Sequence, residues 1–151
     1  MQPTASDGAC TKRGIGAPVF TGVSCASPAA CTAVGTLQPL NEGQIARPLA
    51  ERWNGRRWSS QRMAGITSDV SCPSATSCTA VGVQPPLVNA EHWNGRRWAA
   101  QRLPVPGTHT LGWSLDSVSC ASPLMCVAVG GLTDYSTAER PLVAEYRRTG
   151  R

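Results

Sequence analysis

Short β-prone runs of alternating character follow one another along this chain, each closed by turn formers. VSC at 23–25 is followed by TAVG at 32–35, PLAERW at 48–53 and RRWSSQR at 56–62. Side chains in such runs alternate between two faces with period two, so the pattern predicts four short antiparallel strands, A to D. The same order then returns. VSCASPAACTAVG at 23–35 recurs as VSCPSATSCTAVG at 70–82 and as VSCASPLMCVAVG at 118–130, and AERWNGRRWSSQR at 50–62 recurs as AEHWNGRRWAAQR at 90–102. Self-similarity at this period predicts stacked or radially arranged copies of one supersecondary unit.

Composition agrees with an all-β chain. The 151 residues fit one domain and include fifteen Gly and twelve Pro, which leave few stretches where a helix could run uninterrupted. Five Trp stand against one Phe and two Tyr, so tryptophan is the main bulky core material. The net charge of +5 is carried almost wholly by arginine. Because the arginines recur at equivalent places, Arg56 and Arg57 with Arg96 and Arg97, they read as a solvated face and not as a nucleic-acid site. No apolar run approaches the roughly 20 residues that cross a bilayer, and the first residues lack the apolar segment of a signal peptide, so a leader is expected to have been removed or the chain to be an internal piece.

Six of the seven cysteines form three C-x5-C pairs: Cys25 with Cys31, Cys72 with Cys78, and Cys120 with Cys126. Each first Cys ends a VSC run and each second one begins the next strand, so the two are expected to face each other across a tight A–B hairpin. Opposed Cα atoms about 4.5 to 5.5 Å apart are within reach of a disulfide. Each seven-residue loop would contribute about 2.4 kcal/mol in the chain-entropy model. Buried thiols and metal ligation are the rival readings; zinc knuckles favour shorter spacing and only His92 and His109 could assist, so no metal or other cofactor is expected. Disulfides imply an oxidising compartment and hence secretion. Cys10 is left over.

Asn54-Gly55 and Asn94-Gly95 signal tight C–D turns. A two-residue loop pairs Trp53 with Arg56, and a four-residue loop pairs Trp53 with Trp58. Either register sets both tryptophans on one face, expected to be core against the neighbouring repeat, with an exposed sugar-stacking platform as the alternative. Glu51, Glu91 and Glu145 follow the same Ala in all three copies, and His92 shares its place with Arg52 and Tyr146. Three copies of an acid are not needed for one active site, so structural pairing, for instance with a neighbouring Arg, is expected.

These residues resemble bacterial secreted β-propeller repeats with the pattern S-C-x-S-x-x-x-C-x-A-V-G followed by W-N-G-x-x-W. The second part is similar to the Asp-box hairpin of sialidase-like propellers, with Trp53 and Trp93 where that motif has its Asp. The resemblance covers 22–103 well and 117–146 in part, and it implies a propeller-like array of three four-stranded antiparallel blades and a secreted location. The third blade is incomplete, since PLVAEY at 141–146 runs into Arg147 and Arg148 without WNGRRW. The expected organisation is an N-terminal segment 1–21, whose APVFTG end resembles the tail of a preceding repeat and which could supply the missing strand; repeat 1 at 22–68; repeat 2 at 69–116; and a truncated repeat 3 at 117–151. A β-trefoil, with three repeats of similar length, is the competing fold.

In such blades the A–B and C–D turns share one end, and the B–C loops and D–A connections share the other. The first end is constant in sequence and the second varies. Variable loops on a rigid scaffold collect binding residues, which singles out Asn41, Glu42, His109, Trp113, Asp134 and Tyr135 as one binding face, with tolerated surface variation as the alternative. No catalytic constellation is present. The expected function is a non-catalytic secreted interaction module for a glycan or an extracellular protein, with self-association or completion by further blades. The alternative is a fragment of an extracellular sialidase-like glycoside hydrolase, which would require a tyrosine nucleophile or a carboxylate pair such as Glu42 and Asp134.

Overall fold

The protein was analysed as a computed structural model that describes residues 17–39, 43, 45–65, 67–83, 90–101, 110–136 and 138–148. Among the described residues there are eleven strands and no helix. The first sheet holds β1 (Ala17–Ser27), β2 (Ala30–Gln38), β3 (Arg47–Trp53) and β4 (Trp58–Gln61) in that order. The second holds β5 (Thr67–Ser74), β6 (Ser77–Gly82), β7 (Ala90–Trp93) and β8 (Trp98–Gln101). The third holds β9 (Thr110–Ser122), β10 (Met125–Asp134) and β11 (Glu139–Arg147), three strands where its neighbours have four. Every repeat thus forms its own antiparallel meander and shares no strand with another, which is the propeller arrangement and not the trefoil one. APVFTG at 17–22 is the first half of β1, paired with the far end of β2. Cys10 and the rest of the N-terminal segment before Ala17 lie outside the described residues.

Turn chemistry explains both hairpin types. Cys25 faces Cys31 across the β1–β2 hairpin, and all three cysteine pairs are disulfides with Cα atoms 3.9 to 4.0 Å apart. That is closer than an ordinary cross-strand pair, and in all three hairpins the register shifts beside the bridge. In the C–D hairpins the four-residue register holds: Trp53 faces Trp58 and Trp93 faces Trp98. The Asn54 side chain accepts the N–H groups of Arg56 and Arg57 at 3.0 Å, and Gly55 takes φ +90°; Asn94 and Gly95 repeat this. The turn cap is therefore the Asn that follows each first Trp, while the tryptophans stack as tilted pairs with centroids 5.7 and 5.9 Å apart.

The A-V-G ending of the B strands has a steric cause. A Cβ on Gly35 would lie 2.7 Å from Phe20 Cα, and one on Gly130 would lie 2.8 Å from Leu115 Cα. The inner strand shifts register beside each of these glycines, between Phe20 and Gly22 and again opposite Val129 and Gly130. The bulged backbone occupies the space a side chain would need.

The third blade departs from the expected equivalence. Ala33 faces Glu51 and Ala80 faces Glu91, but Ala128 faces Ala144 and Val127 faces Glu145. A one-residue slip moves every side chain to the other face. Glu145 is therefore exposed beside Arg147, whereas Glu51 and Glu91 are buried. Tyr146 stands opposite Cys126, where the other blades place Trp53 and Trp93, and does not share the place of Arg52 and His92. The physical reason is the missing tryptophan: Arg147 cannot fill an apolar site, and the slip brings Tyr146 into it.

Neighbouring blades meet along their inner strands, with β5 between β1 and β9. Two apolar clusters fill the gaps. Val34 and Ala50 of the first blade pack with Val70, Ala80, Trp93 and Trp98 of the second. Val81 and Ala90 of the second pack with Leu115, Val118, Ala128 and Leu142 of the third. Polar contacts repeat in step. Ser24 Oγ accepts the Cys72 N–H at 2.9 Å, and Ser71 Oγ accepts the Cys120 N–H at 3.0 Å. Thr32 and Thr79 hydroxyls lie 3.7 and 3.4 Å from Sγ of Cys78 and Cys126; the oxidised sulfurs have no proton, so the hydroxyls donate.

Gly35→Ala and Gly130→Ala are each expected to lower the unfolding free energy by about 3 kcal/mol, the upper end of overpacking costs. Gly112→Ala, whose Cβ would meet nothing within 4 Å, should change it by less than about 0.5 kcal/mol. Urea unfolding of the three variants checks this, and equal effects at all three would refute the steric account.

Candidate functional site

The two ends of the blades differ as the loop lengths imply. At one end the A–B and C–D turns of the first two blades touch: a Cβ on Gly55 would meet Ala29, one on Gly95 would meet Thr76, and Trp53 Nε1 donates to Pro28 O at 3.2 Å. The opposite end carries the start of β9 and the β10–β11 turn, and there a cleft of about 420 Å³ opens. Trp113 and Asp116 of β9, Leu132 of β10 and Glu139 of β11 line it, with Val83 beyond β6 on the side of the second blade. Trp113 faces Leu132 across the β9–β10 ladder and packs its inner side against the second apolar cluster. Among the described residues the lining holds two carboxylates, one indole and no basic residue, in a chain of net charge +5.

Of the six residues singled out on sequence, Trp113 lines this cleft. Asp134 and Tyr135 lie at the same end, in the β10–β11 turn. Asp134 is occupied with holding that turn: its Oδ1 accepts N–H groups of Ser136 at 2.9 Å and Ala138 at 3.3 Å as well as the Ser136 hydroxyl, and Oδ2 pairs with Arg140 Nη2 at 3.2 Å. The Ser136 hydroxyl, aided by these N–H groups and Arg140, holds its carboxyl below the usual range. Tyr135 is exposed at the tip. Asn41, Glu42 and His109 lie outside the described residues, and with Glu42 so does the carboxylate pair it would have formed with Asp134. Asp116 and Glu139 were not singled out from the sequence, because nothing in the chain order ties the middle of β9 to the start of β11.

The ionisable groups that recur within the strands serve packing. Among the described residues Glu91 has no arginine partner. Its Oε1 accepts the N–H groups of Ala64 and Gly65 at 2.9 and 2.7 Å, fastening the connection from β4 to β5. Burial pushes its carboxyl up, and those two N–H groups pull it back. Arg52 crosses from the first blade to the second, donating to Ala75 O at 2.8 Å and to Thr32 Oγ1 at 2.9 Å while its guanidinium lies 4.4 Å from the centre of the Trp93 ring. His92, at the same place in the second blade, is buried against Arg148 of the third. Burial first and the Arg148 charge second lower its pKa from 6.5 to about 4. Tyr146 accepts a hydrogen bond from Gln101 Nε2 at 2.7 Å within the interface. Among the described residues no group of three or more His, Cys, Asp or Glu is placed to hold a metal ion.

Meander sheets of this kind, stacked inner strand to inner strand, define a β-propeller. The chain is similar in fold to a solved structure titled "YCF48 bound to D1 peptide", with a TM-score of 0.55 and 13% sequence identity over 90% of this chain. It spans 46% of that structure's chain, somewhat under half its length. No family model and no curated protein matches the sequence.

His92 makes stability depend on pH. Its folded pKa near 4 lies below the unfolded 6.5, so the unfolded state binds the extra proton as pH falls. Stability should be fully present above 6.5 and decline from 6.5 towards 4. Glu91, with its raised pKa, works in the opposite sense at the acidic end. His92→Gln should therefore flatten the fall of the urea midpoint between pH 7 and 4.5; an unchanged slope in the variant would exclude His92 as the source.

Proposed function

We propose that this chain is a non-catalytic interaction module that binds a peptide segment of another protein, outside the cytosol, in the cleft of Trp113, Asp116, Leu132 and Glu139. The observation that carries the reading is the lining itself. One half-buried indole and two aliphatic side chains offer a place for an apolar residue, and two exposed carboxylates at its rim favour a partner segment bearing Lys or Arg. The protein's own net positive charge disfavours such a segment elsewhere on the surface, so the carboxylates also direct it to this end.

Several features support binding over catalysis. Among the described residues the cleft lining contains no His, Cys or Tyr, so a hydroxyl or thiol nucleophile activated by an adjacent imidazole has no counterpart among them. His92 and Tyr146 are spent between blades, and Asp134 is spent in its turn. The fold neighbour is titled as bound to a peptide. Three disulfides in a small β-chain are suited to an oxidising compartment, which supports an extracellular or cell-envelope setting. Among the described residues no helix is long and apolar enough to cross a membrane.

A random twelve-residue peptide library displayed on phage and panned against the oxidised protein tests the reading. Enrichment of sequences pairing a basic residue with an aromatic or aliphatic one is expected. Trp113→Ala should weaken the selected peptides at least about tenfold, and Asp116→Asn with Glu139→Gln should remove the preference for Lys or Arg. Binding on a glycan array instead, abolished by Trp113→Ala, would replace the peptide with a sugar. Turnover of a panel of fluorogenic glycosides would replace the module with an enzyme.

A further inference from the structure

The contacts between blades form two series, and each series has one member left at an end of the stack. On the face that each blade turns to its successor, Ser24 and Ser71, Val34 and Val81, and Ala50 and Ala90 are covered. The third members, by strand position and cross-strand pairing, are Ser119, Val129 and Val143. Ser119 is exposed, Val129 is 45% exposed and Val143 is 68% exposed. On the face that each blade turns to its predecessor, Val70 and Val118, Thr67 and Leu115, and Trp93 and Tyr146 are covered to the extent that Val70 is 3%, Leu115 0% and Trp93 6% exposed. The first members are Val23 at 66%, Phe20 at 44% and the half-buried Trp53. The two ends thus carry complementary halves of one more interface of the kind the chain builds twice internally.

We propose that the outer face of the third blade in one copy seats against the outer face of the first blade in a second copy, head to tail. Ser119 then stands to Cys25 N–H as Ser24 stands to Cys72 and Ser71 to Cys120. Val129 and Val143 cover Val23 and Phe20 as Val34 and Ala50 cover Val70 in the first internal interface. Glu145, at the cross-strand place held by Arg52 and His92, brings no unpaired charge into the contact because Arg147 already neutralises it. Such a contact is heterologous, and two copies joined by it at both ends form a ring of six blades, within the four to eight that propellers use.

Light scattering on the oxidised full chain after size exclusion tests this. The expected result is a species of two 15.9 kDa chains. Val143→Arg and Val23→Arg each place a charge in one half of the contact; both side chains are exposed in the single chain, so far-UV spectra and melting should match the parent at low concentration. Each variant alone is expected to run as a monomer at concentrations where the parent is dimeric. An equimolar mixture of the two should recover a dimer through the one intact pair of faces, with an affinity reduced at least about tenfold from the closed ring. A monomeric parent at 100 μM, a dimer indifferent to both substitutions, or an open-ended ladder of oligomers would overturn the proposal.

Discussion

Everything in this molecule depends on the contact between the inner strand of one blade and that of the next. A three- or four-stranded meander cannot bury both faces by itself, and a single sheet of this size is marginal in water. The apolar clusters that hold the protein together are accordingly not inside any sheet but between sheets, where Val34 and Ala50 meet Val70 and Trp93, and Val81 and Ala90 meet Leu115 and Val118. Dispersion and burial supply the adhesion, and the serine hydroxyls on the Cys N–H groups fix how far one blade slides along the other.

That constraint accounts for the polar residues retained in the strands. The place held by Arg52 and His92 points at the following blade, and each residue meets something that blade supplies: a turn carbonyl and an indole face for Arg52, and Arg148 at Nε2 of His92. Glu91 secures the connection through which the chain passes from one blade to the next. The disulfides act on a shorter scale. They close the A–B hairpin of each blade, and in the second and third blades a threonine hydroxyl of the preceding blade rests on the buried sulfur.

The constant turns and the variable turns occupy opposite ends, so the scaffold is held at one end while the other is free to differ between repeats. The cleft beside Trp113 arises at the variable end, between the second and third blades, where β9 runs past the shorter β5 of the second blade. Its carboxylates come from different strands of one sheet and its aliphatic wall includes a residue of the neighbouring blade, so the site belongs to the stack and not to any one repeat.

The sequence by itself determined the repeat unit, the three disulfide hairpins and the strand order, because each is encoded by local chemistry: turn formers between paired cysteines, Asn-Gly between paired tryptophans, and alternation of period two. Three things were decided only by tertiary structure. The four-residue turn register was chosen because it sets Trp53 against Trp58 and Trp93 against Trp98 while the Asn side chain caps the loop. The slip of β11 was chosen because Tyr146, and not Arg147, can fill the tryptophan site, and this separates Glu145 from the glutamates it matches in sequence. The grouping of Trp113, Asp116 and Glu139 was decided by the pairing of β9, β10 and β11, since residues far apart in the chain become neighbours only when a ladder brings them together, and no local pattern records which ladder that will be.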